Sequence, residues 1–349
     1  MKTVSLKTHD SNCFDILRHL AAFLVIISHH FAFNGLQEPL LNPSTKLGSM
    51  SVLVFFSISG FLITQSKIRS RDNWTFIKKR TLRIMPGLIC CAFFTTYIIC
   101  GIFGRQGFTD WALSLQAFKT FLYYSLLGSH ATDTMTNFFS TNFIFSRSVN
   151  SSLWTLLFEV IDYVMVLIFF SIFRNKILAS LLFLSISIAA YVFQVKTGTS
   201  AYYLARFSSL SITFALGSLL LITIDLWKVN YWKIVILISG VALYILSLFN
   251  KSDAEWDIFT LTSVPLIVIP LGLSFKDRII HGRFDISYGI YVYAFPIQQL
   301  YSNIAGLGFL SSLVFSILTV FILAISSWVF VEKSFLKRKK KPQMKTAEI

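Results

Sequence analysis

The sequence predicts an all-α, polytopic membrane protein: a bundle of about ten transmembrane helices with both termini in the cytoplasm. Of the 349 residues, 55% are hydrophobic and only 13% are charged, a balance far from that of soluble globular domains. The mean hydropathy is +0.68. A helix needs about 20 mainly apolar residues to cross a bilayer, and the chain contains about ten such runs separated by short polar breaks.

The predicted spans follow one another closely along the chain. They cover roughly residues 14–34, 48–66, 84–104, 153–173, 177–195, 202–224, 232–249, 258–275, 286–306 and 308–331. We expect them to form one membrane domain, 1–336, with no room for a separate soluble domain. A basic tail, 337–349, is expected to contact anionic lipid head groups.

The distribution of the +15 net charge predicts the orientation of the chain. Cytoplasmic loops of membrane proteins are rich in Lys and Arg. With the N-terminus inside, 24 of the 31 basic residues fall on the cytoplasmic side, so the charge indicates topology rather than binding to nucleic acid. The apolar start of the chain is long and lacks a small-residue cleavage site, which favours a retained first span over a signal peptide.

The one long stretch between predicted spans, about 105–152, falls on the outer side. It combines aromatic residues with a polar part from Ser129 to Asn142, and an interfacial helix at about 110–127 is expected. Such a loop could line the mouth of a site that receives a sugar, or simply cover the membrane interface. The four cysteines show no metal-ligand or disulfide spacing, so we expect them to pack in the core and predict no metal site.

Arg18 and His29 are ionisable residues within the first span. Eleven residues at about 100° each make about three turns, so His29 is predicted to lie roughly 16 Å above Arg18 on one helical stripe. Ionisable groups at membrane depth usually serve a cavity, a partner or a reaction. Histidine can act as a general base on a hydroxyl, although His29 and its neighbour His30 could instead bond to water or backbone at the outer interface.

Asp15 lies three residues before Arg18, a spacing that allows an ion pair on one face of the helix. Asp15 would then orient Arg18 where the chain enters the membrane. The alternative is that the Arg18 side chain extends to the cytoplasmic interface without a functional role.

Arg80 and Arg83 are one turn apart at the cytoplasmic start of the third span. Guanidinium groups bind phosphates in a bidentate geometry, so this pair could dock a nucleotide-bearing cofactor such as coenzyme A. Anchoring by the positive-inside rule accounts for the same charges.

The fourth span carries Trp154 near its start and Glu159 well inside the apolar run, and Asp162 follows one turn later. A buried acid needs a partner, and the candidates for Glu159 are Arg18, Arg83 or a histidine. We expect Glu159 to position a cation rather than to transfer a proton.

The ninth span begins with Asp285 and contains Tyr288, two further tyrosines and Pro296. Proline within a helix can produce a kink and free a backbone carbonyl. The tyrosines either anchor the helix at the membrane interface or line a cavity.

Taken together and in this order, these elements resemble the acyltransferase 3 family of integral membrane acyltransferases. The matching segments run from residue 15 to residue 335 and so cover nearly the whole chain. They are Asp15, Arg18 and His29; Phe55 to Phe61 with Ser59-Gly60; Arg80, Arg83 and Pro86; Asn150 to Glu159; Ser287 to Tyr291; and Val331-Glu332-Lys333-Ser-Phe335.

The resemblance implies an O-acetyltransferase of the bacterial inner membrane. Such an enzyme moves an acetyl group from cytoplasmic acetyl-CoA to a hydroxyl of a cell-surface glycan, such as lipopolysaccharide O-antigen, or its lipid-linked precursor. It implies essential roles for Arg18 and His29, and a place near the donor for Arg80 and Arg83. We further expect Glu159 to act with the catalytic pair, and Trp154 and Tyr288 to orient the site.

One position departs from the family pattern, because Ala294 stands where many members carry a histidine in the ninth span. A mechanism that needs a second histidine there does not fit this chain. Two other classes remain open: a transporter or flippase for a glycan or small solute, and a non-catalytic membrane sensor. A transporter would typically show internal repeats or paired broken helices, and the sequence shows neither.

Overall fold

The computed structural model describes residues 12–129, 137–138, 143–145, 148–198, 202–250, 255–280, 284–303 and 306–337. Within these ranges the chain is helical, without a named β-strand. The predicted basic tail, 337–349, lies outside the described residues except for Lys337. Much of the predicted outer loop between 130 and 147 also lies outside them.

The helices follow the chain in this order: α1 (Phe14–Phe33), α2 (Leu47–Ile68), α3 (Asn73–Phe93), α4 (Cys100–Ile102), α5 (Phe108–Ala112), α6 (Leu115–Ser125), α7 (Trp154–Ile172), α8 (Lys176–Thr197), α9 (Tyr202–Ile222), α10 (Ile224–Trp227), α11 (Asn230–Phe249), α12 (Ile258–Ser274), α13 (Ser287–Asn303), α14 (Phe309–Ser326) and α15 (Lys333–Lys337). A π-helical segment, Phe94–Ile99, joins α3 to α4, and another, Ser327–Glu332, joins α14 to α15.

The bundle is a polytopic helical membrane domain, as predicted. Among the described residues, eight helices are long and apolar enough to cross a membrane. The helices α12 and α13 have 17 residues each and are shorter than these eight. The count of ten spans and the cytoplasmic termini therefore stay predictions.

Two boundaries differ from the sequence prediction because of local capping. The third long helix begins at Asn73 rather than near residue 84, since the Asp72 carboxylate accepts a hydrogen bond from the Thr75 N–H at 2.7 Å. That cap starts the helix about three turns before its apolar part. The expected single interfacial helix is two helices, α5 and α6, because the Ser114 hydroxyl accepts the Ala117 N–H and starts a new one.

Close backbone contact between α2 and α9 places the Ser59-Gly60 segment in the centre of the bundle. A Cβ atom added at Gly60 would lie 2.0 Å from the Phe214 carbonyl oxygen, and one added at Gly217 would lie 2.3 Å from the Ser57 carbonyl oxygen. Small residues allow such approach where helices pack inside a membrane. Gly60 is therefore required by packing, and its neighbour Ser59 faces the cavity described below.

Pro296 frees a carbonyl in α13, as predicted. Proline has no N–H to bond the carbonyl four residues earlier, which here belongs to Val292. The Asn150 side-chain amide donates to the Val292 oxygen at 2.9 Å, and the Cys91 thiol donates to it at 3.2 Å. Asn150 thus ties the start of the fourth span to the ninth and satisfies a carbonyl that would otherwise lack a partner.

Candidate active site

Arg18 and Arg83 are joined by Asp285, which lies two residues before α13 begins. The Arg18 guanidinium lies 3.1 Å from the Asp285 carboxylate, and that of Arg83 lies 2.5 Å from the same oxygen. Burial by itself raises the pKa of the Asp285 carboxyl, but Arg18 and Arg83 outweigh burial and hold that pKa well below its usual range. The spacing in the sequence predicted Asp15 as the partner of Arg18. In the structure, Arg18 forms its described ion pair with Asp285 instead.

Arg83 also contacts the end of the second π-helical segment. Its guanidinium lies 3.4 Å from the Glu332 carboxylate and 5.8 Å from the centre of the Tyr288 ring. The Ser327 hydroxyl donates to the other Glu332 oxygen at 3.1 Å. Arg83 is therefore held between two carboxylates and an aromatic face.

Two adjoining cavities lie between α1, α2, α3, α7 and α13, and we call them the central cavity. Both are lined by Arg18, Ser59, Glu159 and Tyr288. The part with a volume of about 70 Å³ adds Arg80, Arg83 and Tyr163 to its walls. The other part extends along α7 and α13 to Thr155 and Tyr291, whose hydroxyls are hydrogen-bonded at 2.7 Å. Five of the eight predicted site residues thus meet at one cavity.

Glu159 receives hydrogen bonds from hydroxyl groups instead of the expected cation. The Ser59 hydroxyl donates to its carboxylate at 2.8 Å and the Tyr163 hydroxyl at 2.6 Å. In the part of the chain that the structure describes, no cation lies within 4.0 Å of this carboxylate, although Arg18 and Arg80 line the same cavity. The negative charge of Glu159 can act on the guanidinium groups of Arg18 and Arg80, which line the same cavity.

Arg80 differs from Arg83 because its guanidinium has no anionic partner among the described residues. Its Nε atom is buried and makes no hydrogen bond there. Arg80 lines the central cavity on one side and, on the other, an apolar cavity between α3 and α7 of about 300 Å³. A buried N–H group without a partner is costly, which is typical of a side chain that binds a ligand.

His29 lies near the C-terminal end of α1 and lines neither part of the central cavity. Its side chain is 28% exposed, its Nδ1 is 3.9 Å from the Glu38 carboxylate, and its ring packs edge-on against Phe295. Glu38 is held by the Ser28 hydroxyl at 2.8 Å and by the Lys46 ammonium at 2.7 Å. The imidazole is accessible on one side and faces a fixed carboxylate on the other.

His30 points away from this site, as the helical spacing predicted for one of the two histidines. It is fully buried, and its Nε2 lies 2.8 Å from the Phe309 carbonyl oxygen and 3.2 Å from the Ser312 hydroxyl. Those contacts tie α1 to α14. His29 is therefore the accessible histidine of the pair.

Tyr288 lines the central cavity and also fixes two helices, whereas Asp15 and Trp154 do not line it. Tyr288 donates its hydroxyl to the Ile84 carbonyl oxygen at 2.9 Å and so fixes α13 against α3. Trp154 lines a separate cavity near the start of α7. Asp15 is buried in the first turn of α1, and Ala294 is fully buried within α13.

Sequence reasoning assigned no role to three acidic residues of this region: Asp285, Glu332 and Glu38. Asp285 was noted at the start of the ninth span and Glu332 within a family-like segment, but their partner Arg83 lies 202 and 249 residues away in the chain. For Glu38, the sequence contained one weak indication, which is that an acidic residue follows shortly after the His29-His30 pair. Among the described residues, no cluster of His, Cys, Asp or Glu is suited to a metal ion.

Comparisons with known proteins agree with this arrangement. A family model described as "Acyltransferase domain", that of acyltransferase 3, matches residues 11–331. The chain is 33% identical to an O-acetyl transferase of Shigella phage Sf6, over 95% of this chain and 97% of that protein. It is 23% identical to nodulation protein 10 of Rhizobium leguminosarum bv. viciae, over 93% of each chain. No solved structure matches the chain. The chain therefore belongs to the acyltransferase 3 family, and it is a multi-pass membrane acyltransferase.

Proposed function

We propose that this protein is an acetyl-CoA-dependent O-acetyltransferase of the bacterial inner membrane that acetylates a sugar hydroxyl of a cell-surface polysaccharide. Lipopolysaccharide O-antigen, or its lipid-linked precursor, is the proposed acceptor. Similarity over nearly the full length to a phage O-acetyl transferase supports the reaction class. The observation that carries the donor assignment is Arg80, whose buried Nε atom has no hydrogen-bond partner among the described residues, on the wall of a cavity that Arg18 and Arg83 also line.

The arginines of the central cavity suit the anionic donor. Arg80 is free to bind phosphate oxygens, whereas Arg83 is fixed by Asp285 and Glu332 and provides a positioned positive charge. Arginine binds phosphate by paired N–H groups. Arg18, which shares the Asp285 carboxylate with Arg83, is placed to stabilise negative charge on either the phosphates or the thioester oxygen. Glu159 adds a negative charge to the wall of the same cavity.

His29 supplies the base in the proposed mechanism. It removes the proton from the acceptor hydroxyl while the oxygen attacks the acetyl carbonyl, so that a C–O bond forms and the C–S bond of the thioester breaks. The imidazolium then gives its proton to the departing thiolate. Glu38 stabilises the imidazole tautomer with the proton on Nδ1 and leaves Nε2 to accept the hydroxyl proton.

The test is the mass of the surface polysaccharide repeat from cells that express the chain, beside cells that express His29→Ala at equal membrane abundance. Wild type is expected to add one acetyl mass per repeat, removable by mild base, and His29→Ala to lose at least about 100-fold in rate, as expected for loss of a general base. Tyr231→Ala serves as the control, because Tyr231 is an exposed aromatic residue in the first turn of α11. Acetylation that survives His29→Ala would overturn the assigned base.

A glycan transporter or flippase is the other candidate, since it would also place charges inside a helical bundle. Transfer of radiolabel from acetyl-CoA to glycan in isolated membranes distinguishes the two. The acetyltransferase predicts labelled glycan, whereas a transporter predicts none.

A further inference from the structure

A second large cavity opens between α6, α7 and α9, at the helix ends that the topology places on the outer side. We call it the outer aromatic cavity; it is lined by Tyr123, the Leu126–Ser129 turn, Trp154, Phe158 and Tyr203. Its volume of about 500 Å³ falls within the range of small-molecule sites. Its walls combine apolar and polar atoms, whereas those of the cavity between α3 and α7 are almost entirely apolar.

The Trp154 ring that lines this cavity is held in place by neighbouring side chains. The Arg206 guanidinium lies 5.1 Å from the Trp154 ring centre and 5.0 Å from that of Trp256. The two indole rings are nearly parallel, with centres 6.5 Å apart. Arg206 is itself paired with Glu255, which accepts a hydrogen bond from Ser49. Trp154 therefore presents a flat face with a fixed orientation.

The opposite wall contains a strained turn. Leu127 has a φ of +67°, a conformation that bulky residues rarely adopt. Gly128 follows with its N–H donated to the Tyr123 carbonyl at 2.9 Å, and a Cβ atom at Gly128 would lie 2.5 Å from the Tyr123 ring. Backbone strain of this kind persists where surrounding contacts enforce it, and it is concentrated at binding sites.

We propose that the outer aromatic cavity binds one or two sugar rings of the acceptor glycan, with the apolar faces of the rings on Trp154 and Tyr203. This assignment rests on the proposed acetyltransferase function and names where its acceptor is held. The C–H groups of a pyranose face pack on aromatic rings, while its hydroxyls need the polar groups that this cavity provides and the apolar cavity does not. A lipid tail would instead suit walls without polar atoms.

The helix α7 connects this proposed acceptor site to the central cavity. Trp154 and Phe158 line the outer aromatic cavity, and Thr155 and Glu159 line the central cavity. The two sites thus lie on adjacent faces of the first turns of one helix. Donor and acceptor would therefore approach α7 from different sides.

The experiment uses Tyr203, because its side chain is 67% exposed and its replacement leaves the core intact. The probe is a repeat-unit oligosaccharide that mild acid releases from a surface polysaccharide. The polysaccharide comes from a host strain whose surface glycan gains acetyl when the chain is expressed. If no strain gains acetyl, it comes from the expression host itself. Acceptor KM, kcat and direct oligosaccharide binding are measured for the full chain in detergent. Tyr203→Leu keeps apolar bulk and removes the flat ring; Tyr203→Phe keeps the ring; Tyr231→Leu is the control, with equal exposure in wild type.

Tyr203→Leu is expected to raise the acceptor KM and the oligosaccharide Kd about five- to tenfold. Its kcat and acetyl-CoA KM should stay unchanged. Tyr203→Phe, which keeps the ring, should raise KM and Kd less than Tyr203→Leu does, and Tyr231→Leu should behave as wild type. Wild-type acetylation with no change in KM or Kd for Tyr203→Leu overturns this site and leaves the proposed function standing. Oligosaccharide binding that is weakened by Tyr203→Leu, in a protein that transfers no acetyl, keeps the site and overturns the function. Absence of both activities overturns both.

Discussion

Asp285 allows two guanidinium groups to stay partly buried near the membrane boundary. It contacts Arg18 and Arg83 through one oxygen and accepts a hydrogen bond from Ser287 at 2.8 Å through the other. Removing one member of a buried ion cluster leaves uncompensated charge. Asp285→Asn is therefore expected to destabilise the protein by about 3–5 kcal/mol, measured as a lower melting temperature of the detergent-solubilised chain.

Asp225→Asn is the matched control, because Asp225 pairs with Lys228 at 2.6 Å on an exposed surface and such pairs contribute about 0–1 kcal/mol. The pKa of Asp285 is lowered in the folded state, so its stabilisation is complete above the unfolded pKa of about 4 and is lost only as the pH falls through the lower folded value. The ionisation of Asp285 itself should thus add no pH dependence to its stabilisation between pH 8 and about pH 5. Equal melting temperatures for Asp285→Asn and Asp225→Asn would contradict this role.

Glu38 is expected to act through His29 rather than on the substrates. Glu38→Gln keeps the shape of the side chain but removes the charge that stabilises the imidazolium, so kcat should fall about tenfold or more while the KM for both substrates changes little. Glu38→Asp should recover part of the rate. Steady-state kinetics with radiolabelled acetyl-CoA measures this, with Asp110→Asn, a change at an exposed acid in α5, as the control. A loss of folded protein with normal kcat per molecule would show a structural role only.

The sequence reveals single residues of the site better than their partners. Arg18 and His29 were identified because helical spacing within one span is local and regular. The partner of Arg18 could not be identified in this way, because Asp285 lies 267 residues further along the chain and nearby Asp15 was the one acid whose spacing could be calculated. Ser59, one hydroxyl partner of Glu159, was missed for the same reason, because it lies 100 residues away. The other partner, Tyr163, lies one turn further along α7 and was within reach of helical spacing.

At the level of helices, the packing of α2 against α9 depends on two glycines. Gly60→Ala would force a methyl group to 2.0 Å from the Phe214 carbonyl oxygen, and only separation of the two helices relieves that clash. We expect a large loss of folded protein, read as a reduced monodisperse peak in size-exclusion chromatography. Gly308→Ala is the control, since nothing lies within 4 Å of its added Cβ. A Gly60→Ala protein with wild-type yield and melting temperature would contradict the packing described here.

The link between Asn150 and α13 gives a prediction of coupling. Asn150→Ala leaves the Val292 carbonyl with the Cys91 thiol as its described donor, whereas Pro296→Ala supplies a backbone N–H for the same oxygen. Asn150→Ala should therefore cost about 1–2 kcal/mol in wild type and distinctly less in the Pro296→Ala background. Melting temperatures of the two single variants and the double variant measure the coupling. Additive effects would show that Asn150 does not compensate for the proline.

Helix positions were predicted well, and helix ends less well, for a physical reason. Apolar runs locate the membrane-embedded part of each helix, as in α1, α7 and α12. They do not locate caps, so the start of α3 at Asn73 and the break between α5 and α6 depended on Asp72 and Ser114. The π-helical segment that places Glu332 beside Arg83 has no marker in the hydropathy pattern.

The whole molecule divides its proposed chemistry between two sides of the membrane. The arginines of the central cavity lie near the helix ends predicted to be cytoplasmic, and His29 and the outer aromatic cavity lie near the opposite ends. A donor confined to the cytoplasm and an acceptor outside would then meet inside the bundle. This arrangement follows from the predicted orientation, in which 24 of 31 basic residues lie inside.

That division can be measured with sealed membrane vesicles of known orientation. Labelled acetyl-CoA, which is highly charged and does not cross a bilayer, should acetylate glycan when added to inside-out vesicles, because their outer surface is the cytoplasmic face. Intact right-side-out vesicles should incorporate little label and gain it once permeabilised with mild detergent, which controls for the amount of enzyme. Equal incorporation by intact vesicles of both orientations would show that the donor enters from the outer face, and would reverse the assignment of the arginine cavity to the cytoplasm.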